Sequence, residues 1–187
     1  MHDIEPFFNW QKHYLPYEDP KSPFFEKEAI QNYENTVYGY FIHPDWDEIG
    51  SETLYCKILM ANYSLKYIVI EVFGEWNDTL HNDVMYLKRF VIDHFLKNGI
   101  KHFILLGENI FQFHGGDDDY YEEWFEELED GWIAAINFRE FILQEFSKYK
   151  LDNYINYGGT LQIENWRTLK PDVFFNLVSS LIQRRLA

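Results

Sequence analysis

The chain is short of cysteine, of basic residues and of long apolar runs, and each shortage excludes a class of protein. Cys56 is the only cysteine among 187 residues, so no disulfide can close within the chain. It stands in an apolar alternation of Leu54, Cys56 and Ile58, where a small buried side chain is the expected role. Sixteen Lys and Arg oppose 31 Asp and Glu, a formal charge of −15. Nucleic acid phosphates and anionic membranes both attract basic surfaces, so neither is an expected partner. The charge favours solubility and cationic partners. No segment approaches the ~20 apolar residues of a membrane helix. Met1-His2-Asp3-Ile4-Glu5-Pro6 has neither the basic start nor the apolar run of a secretory signal. A cytoplasmic location is the expectation.

Catalytic signatures are also missing. His2, His13, His43, His81, His94, His102 and His114 are dispersed, without the HExxH pairing of a zinc hydrolase. There is no Gly-x-Ser-x-Gly elbow. Gly115-Gly116 lacks the Lys-Ser/Thr ending of a phosphate loop, and Asp118 lacks the glycine that a calcium loop needs at its sixth position.

Aromatic residues, by contrast, are abundant. Seventeen Phe, fourteen Tyr and six Trp make 20% of the chain. Rings bury much area per residue and belong first to a core. Here they exceed what one core needs, so some are expected at a groove or an interface. Residues 1–35 hold Pro6, Pro16, Pro20 and Pro23 among Phe7, Phe8, Trp10, Tyr14, Tyr17, Phe24 and Phe25. That density of proline blocks long regular elements, and the rings argue against disorder. The segment reads as an extended arm, laid on residues 36–187 or on another subunit, with a short helix over Glu26–Tyr33.

Residues 36–187 read as one α/β domain (or α+β). Its mixed sheet has about four or five strands, N-terminal hairpin-like strands and helices packed on the sheet. Thr36–Ile42, Thr53–Met60 and Leu65–Phe73 carry strand patterns, with a turn at Ala61-Asn62-Tyr63-Ser64. Leu80, Val84, Leu87, Val91 and Phe95 form a helical stripe. It begins after a cap at Asn77 or Asp78 and ends near Lys97, before Asn98-Gly99. Ile100–Leu106 is a further strand. Tyr67–Leu106 is therefore a strand–helix–strand unit, normally parallel and right-handed. Residues 68–72 and 101–106 are expected side by side at the sheet's centre.

A second helix starts among Asp117, Asp118 and Asp119 and breaks at Asp130-Gly131. Trp132–Tyr149 fits a helix from about residue 133. The alternative is a short strand, Trp132–Ile136, before a helix capped by Asn137. Thr160–Glu164 fits a last strand, and Pro171 opens a terminal helix.

Open α/β sheets bind ligands beyond the carboxyl ends of their strands. Two loops are expected there, Gly74–Asp78 and Gly107–Asp119. Glu75 and Glu108, if desolvated, suit acid–base work, with His114 beside them. Asp117, Asp118 and Asp119 could ligate a hard divalent cation. Acidic residues before a helix are more often caps, and no resident cofactor is expected.

The stretch Phe111-Gln112-Phe113-His114-Gly115-Gly116-Asp117 is loosely similar to the Phe-x-x-Gly-x-Asp stretch of the crotonase family. The family's second glycine-rich oxyanion loop is not visible after Ile133-Ala134-Ala135. In topology alone, the order hairpin, helix, strand, helix resembles small interaction modules such as STAS-type domains.

Three functions are expected, in order of preference. First is a non-catalytic binding or assembly module, engaging itself or a protein partner through the arm's aromatic surface. Second is a metal-assisted or acid–base enzyme using the two acidic loops. Third is an acidic mimic of nucleic acid, which needs its charge gathered on one face.

Overall fold

The computed structural model describes residues 4–27 and 36–186. Strands β1 (Thr36–Val37) and β2 (Tyr40–Phe41) form a small hairpin of their own. Tyr38 and Gly39 between them both take positive φ, as a two-residue hairpin turn requires. That turn splits the single strand expected over Thr36–Ile42. The expected helix over Glu26–Tyr33 lies largely outside the described residues.

The main sheet has six strands, β3 (Asp47–Glu48), β4 (Leu54–Asn62), β5 (Tyr67–Asn77), β6 (His102–His114), β7 (Trp132–Ile136) and β8 (Ile155–Tyr157). They lie in sequence order. β3, β4 and β5 run antiparallel, and β5 through β8 are parallel. The Asn62 side chain turns the chain from β4 to β5, its Oδ1 accepting the N–H groups of Ser64 and Leu65 at 3.1 and 3.0 Å. β5 and β6 sit together at the centre, pairing Ile68 with Phe103 and Ile70 with Leu105. The sheet exceeds the expected four or five strands by its short edges, β3 and β8, whose few residues carry no periodic signal.

Helix α1 (Asp83–Leu87) runs through a π-helical turn, Lys88–Ile92, into α2 (Asp93–Lys97). The remaining helices are α3 (Asp119–Glu127), α4 (Glu140–Lys148) and α5 (Pro171–Leu186). Right-handed crossovers that all step the same way across a sheet put their helices on one face. The core agrees. Ile68, Ile70 and Val72 of β5 pack with Val84, Val91, Trp124, Ile142 and Phe146. On the opposite face Val69, Ile104, Leu106 and Ile136 meet Phe174, Val178 and Ile182 of α5. Trp10 of the arm joins this second layer. The arm thus lies on its own domain.

Three sequence expectations are corrected. The helix expected from residue 79 begins at Asp83, because Asn82 takes a left-handed conformation and β5 holds the chain as far as Asn77. Leu80, assigned to the helical stripe, is 78% exposed in the intervening turn. Residues 132–136 are a strand, not a helix. A five-residue apolar run fits either period, and pairing with β6 on one side and β8 on the other decides it. Asn137, at φ +57°, ends the strand before α4. Finally, Thr160–Glu164 is not a strand. Gly159–Leu161 is a single 3₁₀ turn, and the last strand is β8.

Candidate functional site

The two loops expected beyond the sheet are largely strand. β5 continues through Asn77 and β6 through His114, pairing Glu75 with Gln112 and Asn77 with His114. This ribbon extends past the last residue of β7, Ile136, which pairs with Leu106. Two register shifts let it bend, one of them beside Gly74. Gly74 has φ +113°, and a Cβ there would lie 2.2 Å from the Thr53 carbonyl oxygen. The strand order never reverses, so the crevice that ligands use in doubly wound sheets does not form here.

Glu75 and Glu108 belong to separate sets of contacts. The Tyr38 hydroxyl lies 2.7 Å from Glu75 Oε2 and 2.9 Å from Gln112. Asn77 Nδ2 donates to Glu75 Oε1 at 2.9 Å, and His114 Nε2 stands 3.6 Å from the same oxygen. Burial pushes the Glu75 carboxyl up, but the donors from Tyr38 and Asn77 outweigh it and hold it below its usual range. The structure therefore brings Glu75 and His114 together, on an open surface. Glu108 instead accepts from Asn137 Nδ2 and Trp166 Nε1, each at 2.8 Å, and pairs with Arg167 Nη2 at 2.5 Å.

Beside Glu108 lies a buried carboxylate that was not among the residues expected at the site. Glu71, only 2% exposed, accepts the Phe7 backbone N–H at 2.7 Å and Asn109 Nδ2 at 3.2 Å. Burial pushes its pKa up to about 7, with Glu108 adding repulsion and Arg167 opposing it. A signal for it does exist in the sequence. Glu71 is the one charge inside the apolar run Ile68–Phe73, and a strand covered on both faces rarely keeps a carboxylate unpaired.

Asp117 and Asp119 are exposed, and Asp118 accepts the Tyr154 hydroxyl at 2.8 Å. No shared ligand geometry unites them. Among the described residues, the acidic group with metal-like spacing is Asp93, Glu123 and Glu127. Lys88 Nζ already stands among these three, bonded to Asp93, 2.7 Å from Glu127 and 3.4 Å from Glu123. Asp78 and Asp83 are buried and spoken for. Asp78 accepts from Trp76, Val84 and Tyr121, and Asp83 from Ser51, Thr53 and Asn77. The Cys56 thiol is fully buried, and burial raises its pKa far from thiolate chemistry.

A concavity lies next to the Glu71–Glu108 cluster. The arm and the segment before α5 form its walls, joined by a 2.9 Å bond from Trp10 Nε1 to the Leu169 carbonyl. Trp10 also packs against Trp166 and Phe174 with centroids 5.6 and 5.8 Å apart. The groove holds about 660 Å³ and is lined by Phe8, Trp10, Lys12, His13, Arg167 and Lys170 among others. None of these stands out in the sequence as a site residue, since the bond between the two walls spans 159 positions.

No family model and no curated protein matches the chain. Among solved structures, the unphosphorylated anti-sigma factor antagonist SpoIIAA aligns at 17% identity with a TM-score of 0.43. It covers 56% of this chain and 89% of that one. The Bacillus cell fate determinant SpoIIAA in its phosphorylated form aligns at 16% identity and 0.38, covering 56% and 92%. At these scores the reading of function rests on the chain's own geometry.

Proposed function

We propose that this chain is a non-catalytic binding module whose ligand site is the groove between the arm and residues 167–170. The observation that carries it is the filling of the sheet's carboxyl end by the chain itself. Glu71 and Glu108, two of the carboxylates there, are consumed by Phe7, Asn109, Asn137, Trp166 and Arg167. An acid–base enzyme needs such a group within hydrogen-bond reach of substrate. The groove beside them has the size of small-molecule sites, roughly 300–1,000 Å³. A second reading rests on the contact of Glu75 with His114 and Tyr38. It would make that surface an acid–base centre, aided by a divalent cation.

A thermal-shift screen of divalent metals and common metabolites separates the two. The binding reading expects stabilisation by organic ligands, lost when Phe8→Ser and Lys170→Glu are combined. Stabilisation by metals alone, abolished by Glu75→Gln, would favour the enzyme instead.

A further inference from the structure

The chemistry of the groove names its ligand more narrowly, on the premise that the groove is the ligand site of a binding module. The protein carries 31 carboxylates and a charge of −15, yet no Asp or Glu lines this concavity. Lys12, His13, Arg167 and Lys170 all do. Lys12 and Lys170 have no carboxylate within 4.0 Å among the described residues, whereas Lys57, Lys88, Arg89, Lys101 and Lys148 each have one. Arg167 is held differently. Its guanidinium sits 4.7 Å over the Trp166 ring and is anchored at one end by Glu108. That fixes the plane of the group, and its other donors have no protein acceptor among the described residues. A guanidinium so positioned loses little freedom on meeting an oxyanion.

An aromatic element accompanies the charge. Phe8 lines the same groove and is 59% exposed, so one ring is open to stacking. The chain is anchored on both sides of it: Phe7 by its backbone N–H on Glu71, and Trp10 by its indole N–H on the Leu169 carbonyl. The ring is therefore displayed by a tethered stretch of backbone. Cationic side chains around a flat apolar ring suit a ligand with a phosphate at one end and a planar ring at the other. We propose that the groove binds a phosphate-bearing small molecule with a flat ring, the phosphate held by Lys12, Lys170 and the free edge of Arg167, and the ring by Phe8.

Isothermal titration of the full chain tests this, with AMP, adenosine and inorganic pyrophosphate as probes and Lys12→Glu/Lys170→Glu as the variant. Both lysines are exposed, so the variant should keep the wild-type melting temperature and amide spectrum. The expected result is AMP binding that exceeds adenosine by at least about tenfold, weakens as salt is raised, and is lost in the variant. Adenosine binding as tightly as AMP would overturn the phosphate assignment and leave the binding module standing. AMP affinity unchanged in the variant would overturn it too, since the site would lie elsewhere. If no probe binds while an uncharged metabolite stabilises the protein in the thermal screen, the ligand class is wrong and the module is right. Failure of both experiments would remove both readings.

Discussion

Glu71 lies where the apolar run of β5 most opposes a charge, and its titration should be visible in the stability of the whole chain. Folded, it keeps its proton to about pH 7. Unfolded, it releases it near the ordinary value of ~4.3. Between those values the folded state binds more protons, so the stability this group lends at low pH is lost as pH rises. The span corresponds to roughly 3–4 kcal/mol. Asp78, pushed up to about 6 chiefly by burial, acts in the same direction over a narrower window. The melting temperature should therefore fall between about pH 4 and pH 7, and Glu71→Gln should flatten that slope. A slope unchanged by the substitution would mean that Glu71 is charged throughout. Gly107 offers a second test. A Cβ there would lie 2.3 Å from the Phe138 ring, so Gly107→Ala should cost about 1–3 kcal/mol in a urea titration. Phe138→Leu should restore part of that loss. Glu71 can be recognised from sequence as an anomaly. The bonding of Glu108 cannot, because Asn137 and Trp166 lie 29 and 58 positions away.

Among the elements, the chain from α1 to α2 is held by a buried cation. Lys88 has no exposed side-chain surface and neutralises Asp93, Glu123 and Glu127, tying the π-helical turn to α3. Lys88→Met would leave Glu127 without a cation, and Asp93 and Glu123 with Arg89 alone. A loss of about 3–5 kcal/mol is expected in a urea titration, and a smaller one for Lys88→Arg, which keeps the charge. Equal losses in the two variants would assign the effect to packing rather than charge. The strand–helix–strand unit around this helix is legible in the sequence because long periodic segments announce their type. Its details are not. Asn82 can take a left-handed conformation, and nothing local says that it does. Gly107-Glu108-Asn109 reads as a loop, yet β6 continues through it, bulging at Gly107 and Glu108 and regaining its pairing with β5 at Asn109. The candidate loops at the sheet's end become strand for this reason. Trp132–Ile136 needs its neighbours β6 and β8 to decide between strand and helix.

At the scale of the molecule, the arm packs on both faces of the sheet, Trp10 in the layer of α5 and Phe24 in the layer of the crossover helices. Trp10 and Phe24 are buried against their own domain, while Phe8, Tyr17 and Phe25 stay exposed. Sequence alone shows that the arm's rings need cover, but not which surface supplies it. Trp10→Ala should cost about 3–5 kcal/mol, read from the denaturation midpoint. Self-association through the arm has only its exposed rings to use, against a charge of −15 on each copy. Light scattering across a dilution series decides the expected assembly role. A dimer mass lost on combining Phe8→Ser with Phe25→Ser would assign that role to the arm, and a monomer mass at every concentration would end it. The most direct test of the binding module is amide shift mapping of the full chain against a library of small charged and neutral fragments. Shifts should gather at residues 8–13 and 167–170, on the two walls of one groove. Shifts gathered instead at Tyr38, Glu75 and His114, with the arm silent, would contradict it.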